Sequence, residues 1–286
     1  MTDLKTAAIK QVKLLYAILK TNKKELDSVV KNKSDFYYSY DKIIRDKRGE
    51  IVLQNGVTKT RPINSSNGRL KEFQNIIAKK ILPTIPLPSN IKGGVKGSSN
   101  IANAAAHLGK HYKFKTDIKQ YFPSISYQRV FNMFVQNGYS NKVATILTHL
   151  TTSNYNLPQG TPTSTAIANL IFIPNDKKII EYCKINKLVY TRYVDDLVFS
   201  SQFGFKDKVL DIINFVLEDG FRISIKKTIY AEGSLEITGV LTKQNVLDST
   251  TEYKNLVSDE KINKKTTEAR KKYIVRIKNY NNKKTF

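Results

Sequence analysis

The sequence predicts an α+β protein in which an antiparallel sheet is backed by helices, and three observations carry that prediction. Residues Tyr112 to Asp117 alternate: Tyr112, Phe114 and Thr116 fall on one face, Lys113, Lys115 and Asp117 on the other, which is the two-residue period of a strand. Leu188 to Ser200 is rich in β-branched and aromatic residues on both sides of Asp195-Asp196, so it reads as a hairpin with two acids at or near its tip. Around these segments, apolar residues recur at helical spacing.

The elements follow in order. Ile9, Val12, Leu15, Tyr16 and Leu19 mark an amphipathic helix. Glu50 to Arg61 reads as a hairpin, because Asn55-Gly56 accepts the positive φ values of a two-residue turn. Leu70, Phe73, Ile76, Ile77 and Ile81 form a helix that Pro83, Pro86 and Pro88 end. A loop with Gly93, Gly94 and Gly97 precedes the Tyr112 strand. Two core helices follow, one through Tyr127, Val130, Phe131 and Phe134, the other through Val143, Ile146, Leu147 and Leu150. Pro174 is expected to kink or end a helix. After the acidic hairpin come a helix over Val209 to Leu217, then a strand pair through Ile223 to Ile225 and Leu235 to Val240. From Lys261 to Phe286 there are ten Lys or Arg residues (261, 264, 265, 270, 271, 272, 276, 278, 283 and 284) against Glu268 alone. Tyr273, Ile274, Ile277 and Tyr280 give this segment an apolar stripe, so it reads as a basic helix with a docking face.

Composition narrows the function. Lys and Arg total 48 against 24 acids, a formal charge of +24 over 286 residues, and such an excess suits a polyanionic partner because phosphate neutralisation releases counterions. Cys183 is the only cysteine, which excludes an internal disulfide and a zinc site made of thiolates and is compatible with a reducing cytoplasm. The apolar run Leu14 to Leu19 is far shorter than the ~20 residues of a membrane span, and no secretion signal is expected from it. His107 and His111 stand four apart, but Leu108 fills the glutamate position of a zinc-protease motif and no third ligand is evident. His107 is expected instead to fix a loop or touch RNA.

A pair of adjacent acids is ordinary turn chemistry when it stands alone. Here a third acid, Asp117, ends a separate strand. Three such acids brought together would repel unless a cation sat among them, and Mg²⁺ favours carboxylate and phosphate oxygens. Two such ions can activate an attacking hydroxyl and stabilise a leaving oxygen in phosphoryl transfer.

Tyr193-Val194-Asp195-Asp196, preceded by Phe114-Lys115-Thr116-Asp117 and by Leu157-Pro158-Gln159-Gly160-Thr161-Pro162-Thr163-Ser164, resembles the ordered motif set of reverse transcriptases. That resemblance implies a right-hand polymerase: an N-terminal helix and fingers over residues 1–110, a palm over 111–235 with a fingers-proximal segment near 155–170, and a compact basic thumb over 236–286. It makes Asp117, Asp195 and Asp196 the catalytic acids and two Mg²⁺ ions the cofactor, with the carbonyl of Ile118 as a further metal ligand. It places Phe122 beneath the sugar as a gate against the 2′-hydroxyl. Gln159 and Gly160 line the incoming nucleotide, Arg61 clamps its triphosphate with a planar fork, and Lys227 approaches the departing pyrophosphate.

Within that family the chain is most similar to bacterial retron enzymes. Asn103-Ala104-Ala105-Ala106-His107 matches the retron pattern of Asn-Ala, two variable residues and His, and Ile237-Thr238-Gly239 stands where retrons usually carry Val-Thr-Gly. The resemblance implies a cytoplasmic bacterial enzyme with dNTPs as substrates and a cognate structured noncoding RNA as primer and template. Synthesis starts in that family from a guanosine 2′-hydroxyl and yields a branched RNA–DNA hybrid. The role implied is antiphage defence beside a separate effector protein. Asn103, His107, Lys271, Lys272, Tyr273 and Arg276 are the expected RNA contacts. A related defence enzyme with protein-primed or untemplated synthesis would share the three acids.

Overall fold

The alternating segment Tyr112–Asp117 becomes an inner strand of a four-stranded antiparallel sheet, whose order is Val189–Tyr193, Asp196–Ser201, Tyr112–Asp117, Ile229–Glu232. In this computed structural model residues 9–46, 48–258 and 264–282 are described. The chain divides into two units, each assembled from separated stretches: residues 1–43, 60–88 and 120–174 form one, and residues 44–59, 89–119 and 175–286 the other. The α+β class expected from the sequence is the class observed.

The four-stranded sheet lies in the second unit, and its register explains its two faces. Tyr190, Phe199, Phe114 and Tyr230 stand in one row across the strands, with Tyr190 stacked on Phe199 at 4.7 Å and Phe114 tilted on Phe199 at 5.8 Å. Such a row of large rings stabilises a sheet through cross-strand contact. The other face carries Lys113, Lys115 and Asp117 with Ser200, Val198 and Asp196 opposite. This polar face is not left to solvent. Val198 joins a core with Ile101, Ala104 and Ala105 of the helix Asn100–Ala105, with Leu235, Ile237, Val240 and Leu247, and with Ile277. Lys113 is fully buried and donates to the carbonyls of Lys110 (2.5 Å) and Gly233 (2.6 Å), which satisfies an ammonium that burial would otherwise penalise.

A three-stranded sheet, Leu247–Ser249, Val240–Thr242 and Leu235–Ile237, adjoins this core. Its tight turn is Thr238-Gly239, both at positive φ (45° and 83°), and Asn100 Nδ2 donates to the Thr238 carbonyl at 3.0 Å. The basic helix spans Lys264–Asn282. Ile277 is its buried anchor, Tyr273 and Tyr280 are half-buried beside it, and Asn281 makes a two-way bond with the backbone of Leu247. The docking stripe is therefore where the spacing placed it; Lys261, Lys283 and Lys284 of the basic segment lie outside the described residues.

The first unit is mainly helical. Val12–Leu19, Tyr127–Gln136 and Asn141–Thr151 follow the expected stripes, and the helix begun at Gly68 passes through a wide turn at Ile77–Ile81 before Pro83. Buried Gln74 ties three segments by bonding Ser66 Oγ, Tyr37 Oη and the Leu150 carbonyl. Pro174 behaves as expected: one helix closes at Ile171 and another runs from Ile173 to Ile185. Pro174 stands in its first turn, where a missing N–H costs nothing.

Two expectations need correction. The hairpin expected over Glu50 to Arg61 has only short strands, Leu53–Gln54 and Val57–Thr58, around Asn55-Gly56. Arg61 instead lies in Thr60–Ser66, which pairs along its length with Tyr37–Ile43. Residues Ile225–Lys227 form a helical turn rather than a strand; the bonds Ser224 N–H to Asp117 O and Lys227 N–H to Ser224 O take up the backbone groups, and the strand comes later, at Ile229–Glu232.

Candidate active site

Strand register brings the acids together. Asp117 stands directly opposite Asp196 at the end of the two inner strands, and Tyr193 pairs with Asp196 to close a two-residue turn, Val194-Asp195. The backbone around them is pinned: Ile118 N–H donates to the Asp195 carbonyl at 2.9 Å, and Ser224 N–H to the Asp117 carbonyl at 2.8 Å. Three acids thus sit on neighbouring backbone positions at one sheet end, Asp117 buried and Asp195 and Asp196 half-buried.

Their electrostatics follow from that placement. Burial, reinforced by the charges of Asp195 and Asp117, pushes the Asp196 carboxyl up to about 6, while Lys227 and Lys115 pull the other way. Lys227 Nζ donates to Asp117 Oδ2 at 2.6 Å. Partial burial lowers the pKa of this ammonium, but the bond to Asp117 and the charges of Asp117, Asp196 and Asp195 outweigh that and hold it above its ordinary value. Among the described residues no three acidic, histidine or cysteine side chains are already gathered as a metal cage. The donor chemistry nonetheless fits a hard divalent cation: oxygen ligands alone, more negative charge than one lysine neutralises, and one acid held well above its normal range. Asp117, Asp195, Asp196 and the Ile118 carbonyl are the groups that would hold it. Beside Asp196 opens a cleft of ≈ 320 Å³, lined among others by Lys115, Lys226, Lys227 and the Thr238-Gly239 turn.

The acidic turn is strained and braced. Val194 has φ +61°, a region β-branched residues rarely enter and one that costs of order 1–3 kcal/mol. Gly93 lies against it so closely that a Cβ there would meet Val194 N at 2.5 Å. Arg192, fully buried, forks onto the equally buried Asp176 at 2.6 and 3.0 Å and sends its remaining nitrogen to the Val194 carbonyl at 2.9 Å. Sequence reading passed over Arg192, Asp176 and Gly93. A signal was present: strand alternation puts Arg192 on the same face as Tyr190, and helical spacing puts Asp176 with Ile179 and Cys183, so both charges occupy positions where the pattern asks for apolar residues.

The other expected nucleotide contacts belong to the first unit. Arg61 is exposed on the Thr60–Ser66 strand. The same strand holds the Gln159-Gly160 loop, through Asn64 N–H to the Gln159 carbonyl (2.8 Å) and Ser65 Oγ to the Gly160 carbonyl (3.1 Å). Gly160 is required there, since its φ is +120° and a Cβ would meet Ile63 at 2.6 Å. Phe122 lies half-buried in the short helix Tyr121–Ser124, five positions after Asp117.

The expected RNA contacts divide. Asn103 and His107 are fully buried, and their assignment to RNA is corrected. His107 bridges two strands of the four-stranded sheet, with Nδ1 at 2.7 Å from Ser200 Oγ and Nε2 at 2.7 Å from Thr191 Oγ1; burial, helped by Lys113, drives its pKa down to about 3. Asn103 Nδ2 donates to Thr238 Oγ1 at 3.3 Å. Asn103 from the helix and His107 from the turn after it thus tie this segment to both sheets. Tyr273 also faces inward, its hydroxyl accepting from Asn100 and its ring packed edge-on to Tyr253 at 5.3 Å. Lys271, Lys272 and Arg276 remain exposed.

The family model described as reverse transcriptase (RNA-dependent DNA polymerase) matches residues 45–267. The chain is 31% identical over 188 residues to the retron Ec86 reverse transcriptase of Escherichia coli, covering 64% of this chain and 59% of that one. It is 31% identical over 255 residues to the retron Se72 reverse transcriptase of Salmonella heidelberg, covering 85% and 64%. The chain thus spans about three-fifths of the length of these relatives. Among solved structures, apo telomerase from Candida tropicalis aligns at a TM-score of 0.49 with 12% identity, over 82% of this chain and 55% of that one. Because the family model covers most of the chain and takes in all three carboxylates, the chain belongs to the reverse transcriptase family.

Proposed function

We propose that this protein is an RNA-directed DNA polymerase of the retron type, with fingers, palm and a short basic thumb over the segments expected from the sequence. The observation that carries the reading is the pairing of Asp117 with Asp196 beside the Asp195 turn, within the span matched by the family. Bound Mg²⁺, as two ions, would lower the pKa of the attacking hydroxyl and offset charge on the transferred phosphate. The chain's own groups do the rest. Asp117, Asp195 and Asp196 hold negative charge at fixed backbone positions. Lys227, an ammonium already within reach of Asp117, neutralises and can protonate the departing pyrophosphate. Arg61 binds the triphosphate, Gln159 and Gly160 support the base and sugar, and Phe122 excludes a 2′-hydroxyl.

The substrate side of the proposal comprises dNTPs and a structured noncoding RNA serving as primer and template, with a branched RNA–DNA product and a role in antiphage defence alongside a separate effector. The relatives' names and the charge of +24 support it. No helix among the described residues is long and apolar enough to cross a membrane. The test is to purify the protein from its host and sequence the accompanying nucleic acid, with and without ribonuclease and debranching. One short DNA joined to a structured RNA is expected; protein-linked or random DNA would move the enzyme to another defence lineage. Changing Asp195 and Asp196 together to Asn should abolish synthesis and spare RNA binding, and surviving synthesis would remove the catalytic assignment.

A further inference from the structure

We infer that Arg192, Asp176 and Gly93 form a brace that holds the catalytic turn in its strained shape, and that Arg192 is a positioning residue for the metal-holding acids. The inference rests on the metal reading of those acids given above.

The turn's conformation is not one its own residues favour. Val194 sits at φ +61° where turns of this kind normally place glycine, aspartate or asparagine. A strained residue persists only when its surroundings over-determine it. Here they do so from two sides. Arg192 bonds the Val194 carbonyl at 2.9 Å while both of its other forks are spent on Asp176. Asp176 is in turn bonded by Tyr190 Oη at 2.7 Å, so the guanidinium cannot swing away without leaving a buried carboxylate under-partnered. From the other side, the segment 90–93 runs as an added edge beside Arg192: Arg192 N–H bonds the Asn90 carbonyl at 3.0 Å, Lys92 N–H bonds the Arg192 carbonyl at 2.7 Å, and Gly93 closes on Val194. Since Asp195 follows Val194 directly, the brace sets where that carboxylate stands relative to Asp117 and Asp196.

A fully buried ion pair of this kind adds little to stability compared with apolar residues of similar volume. That separates positioning from packing. The double variant Asp176→Leu, Arg192→Met keeps the volume and removes the tie to Val194. Full-length protein, freed of metal, is titrated with Mn²⁺ by calorimetry, and synthesis is measured against Mg²⁺ and dNTP concentration. The expected result is a folded protein whose Mn²⁺ affinity falls about 10-fold or more, as for other supports of metal ligands. The Mg²⁺ needed for half-maximal synthesis rises, kcat falls, and KM for dNTP stays put. Gly93→Ala leaves every charge in place and pushes on Val194 N, so it should give the same metal shift, and it decides the matter should the double variant fail to fold. Wild-type Mn²⁺ affinity and Mg²⁺ dependence in the folded variants would overturn the brace. The Asp195→Asn, Asp196→Asn protein is the control. If it too binds Mn²⁺ like wild type, the metal reading fails; if only the brace variants are unchanged, the inference alone fails.

Discussion

Asp196 carries a charge that is costly to the metal-free fold and that the proposed mechanism uses. Its folded-state pKa, about 6, lies above the ordinary 3.8, so the metal-free fold prefers it protonated. A raised carboxyl contributes stability below the unfolded value and loses it as pH rises from about 4 through about 6. Asp196→Asn should therefore stabilise the metal-free protein at pH 7.5 by about 1–2 kcal/mol after allowance for partial exposure, raising its melting temperature, with the gain vanishing near pH 4. Thermal unfolding at the two pH values reads this, and an equal effect at both would contradict the charge argument. The same variant should make no DNA. Phe122 offers a second residue-scale test: Phe122→Ala should admit ribonucleotides, and unchanged sugar selectivity in single-nucleotide incorporation would count against the gate.

At the level of elements, the helix Asn100–Ala105 and the turn after it carry the residues most like the retron pattern, and the structure buries Asn103 of the helix and His107 of the turn. His107 is neutral and doubly bonded between two strands, with its pKa near 3 against 6.5 when unfolded. Stability is then complete above pH 6.5 and lost as pH falls, because the unfolded chain takes a proton that the folded one refuses. Replacing His107 by Gln should flatten the acid side of a denaturant-unfolding series by about 1.4 kcal/mol per pH unit between pH 4 and 6. An unchanged slope would mean the imidazole is not buried neutral. This element also marks where the sequence was legible. Strong periods survived folding: the Phe134 and Leu147 helices, the Asp117 strand and the acidic hairpin stand where spacing put them. Tyr37–Ile43 was missed because it is nearly all solvent-facing, so no apolar alternation marks it. The Arg192–Asp176 brace was missed because a helix and a strand contribute one charge each, and only tertiary packing reveals that they meet. Asn103 and His107 are RNA contacts only through the retron resemblance, and a motif match does not show which way a side chain faces; of the two roles expected for His107, fixing a loop and touching RNA, its bonds to Ser200 and Thr191 fit the first.

Across the whole molecule, the excess of 48 basic over 24 acidic residues needs a destination, and the helix Lys264–Asn282 gives part of it a fixed position. One side of that helix is committed to the core through Ile277, with Tyr273 and Asn281 bonded to neighbouring elements; the other presents Lys271, Lys272 and Arg276 to solvent. Anchoring and the proposed RNA binding are thus separable within a single element. Ile277→Ala should cost about 2–5 kcal/mol of stability by leaving a cavity, and with it all functions that need the fold. Changing Lys271, Lys272 and Arg276 together to Gln should leave the melting temperature nearly unchanged, since exposed charges contribute little to folding. Its effect should appear in RNA binding measured across a salt series: weaker binding at low salt, and a plot of log affinity against log salt shallower by about 2 for three lost phosphate contacts on single-stranded RNA. A parallel line of equal slope would show that these three cations do not touch phosphate and that the polyanion is held elsewhere on the basic surface.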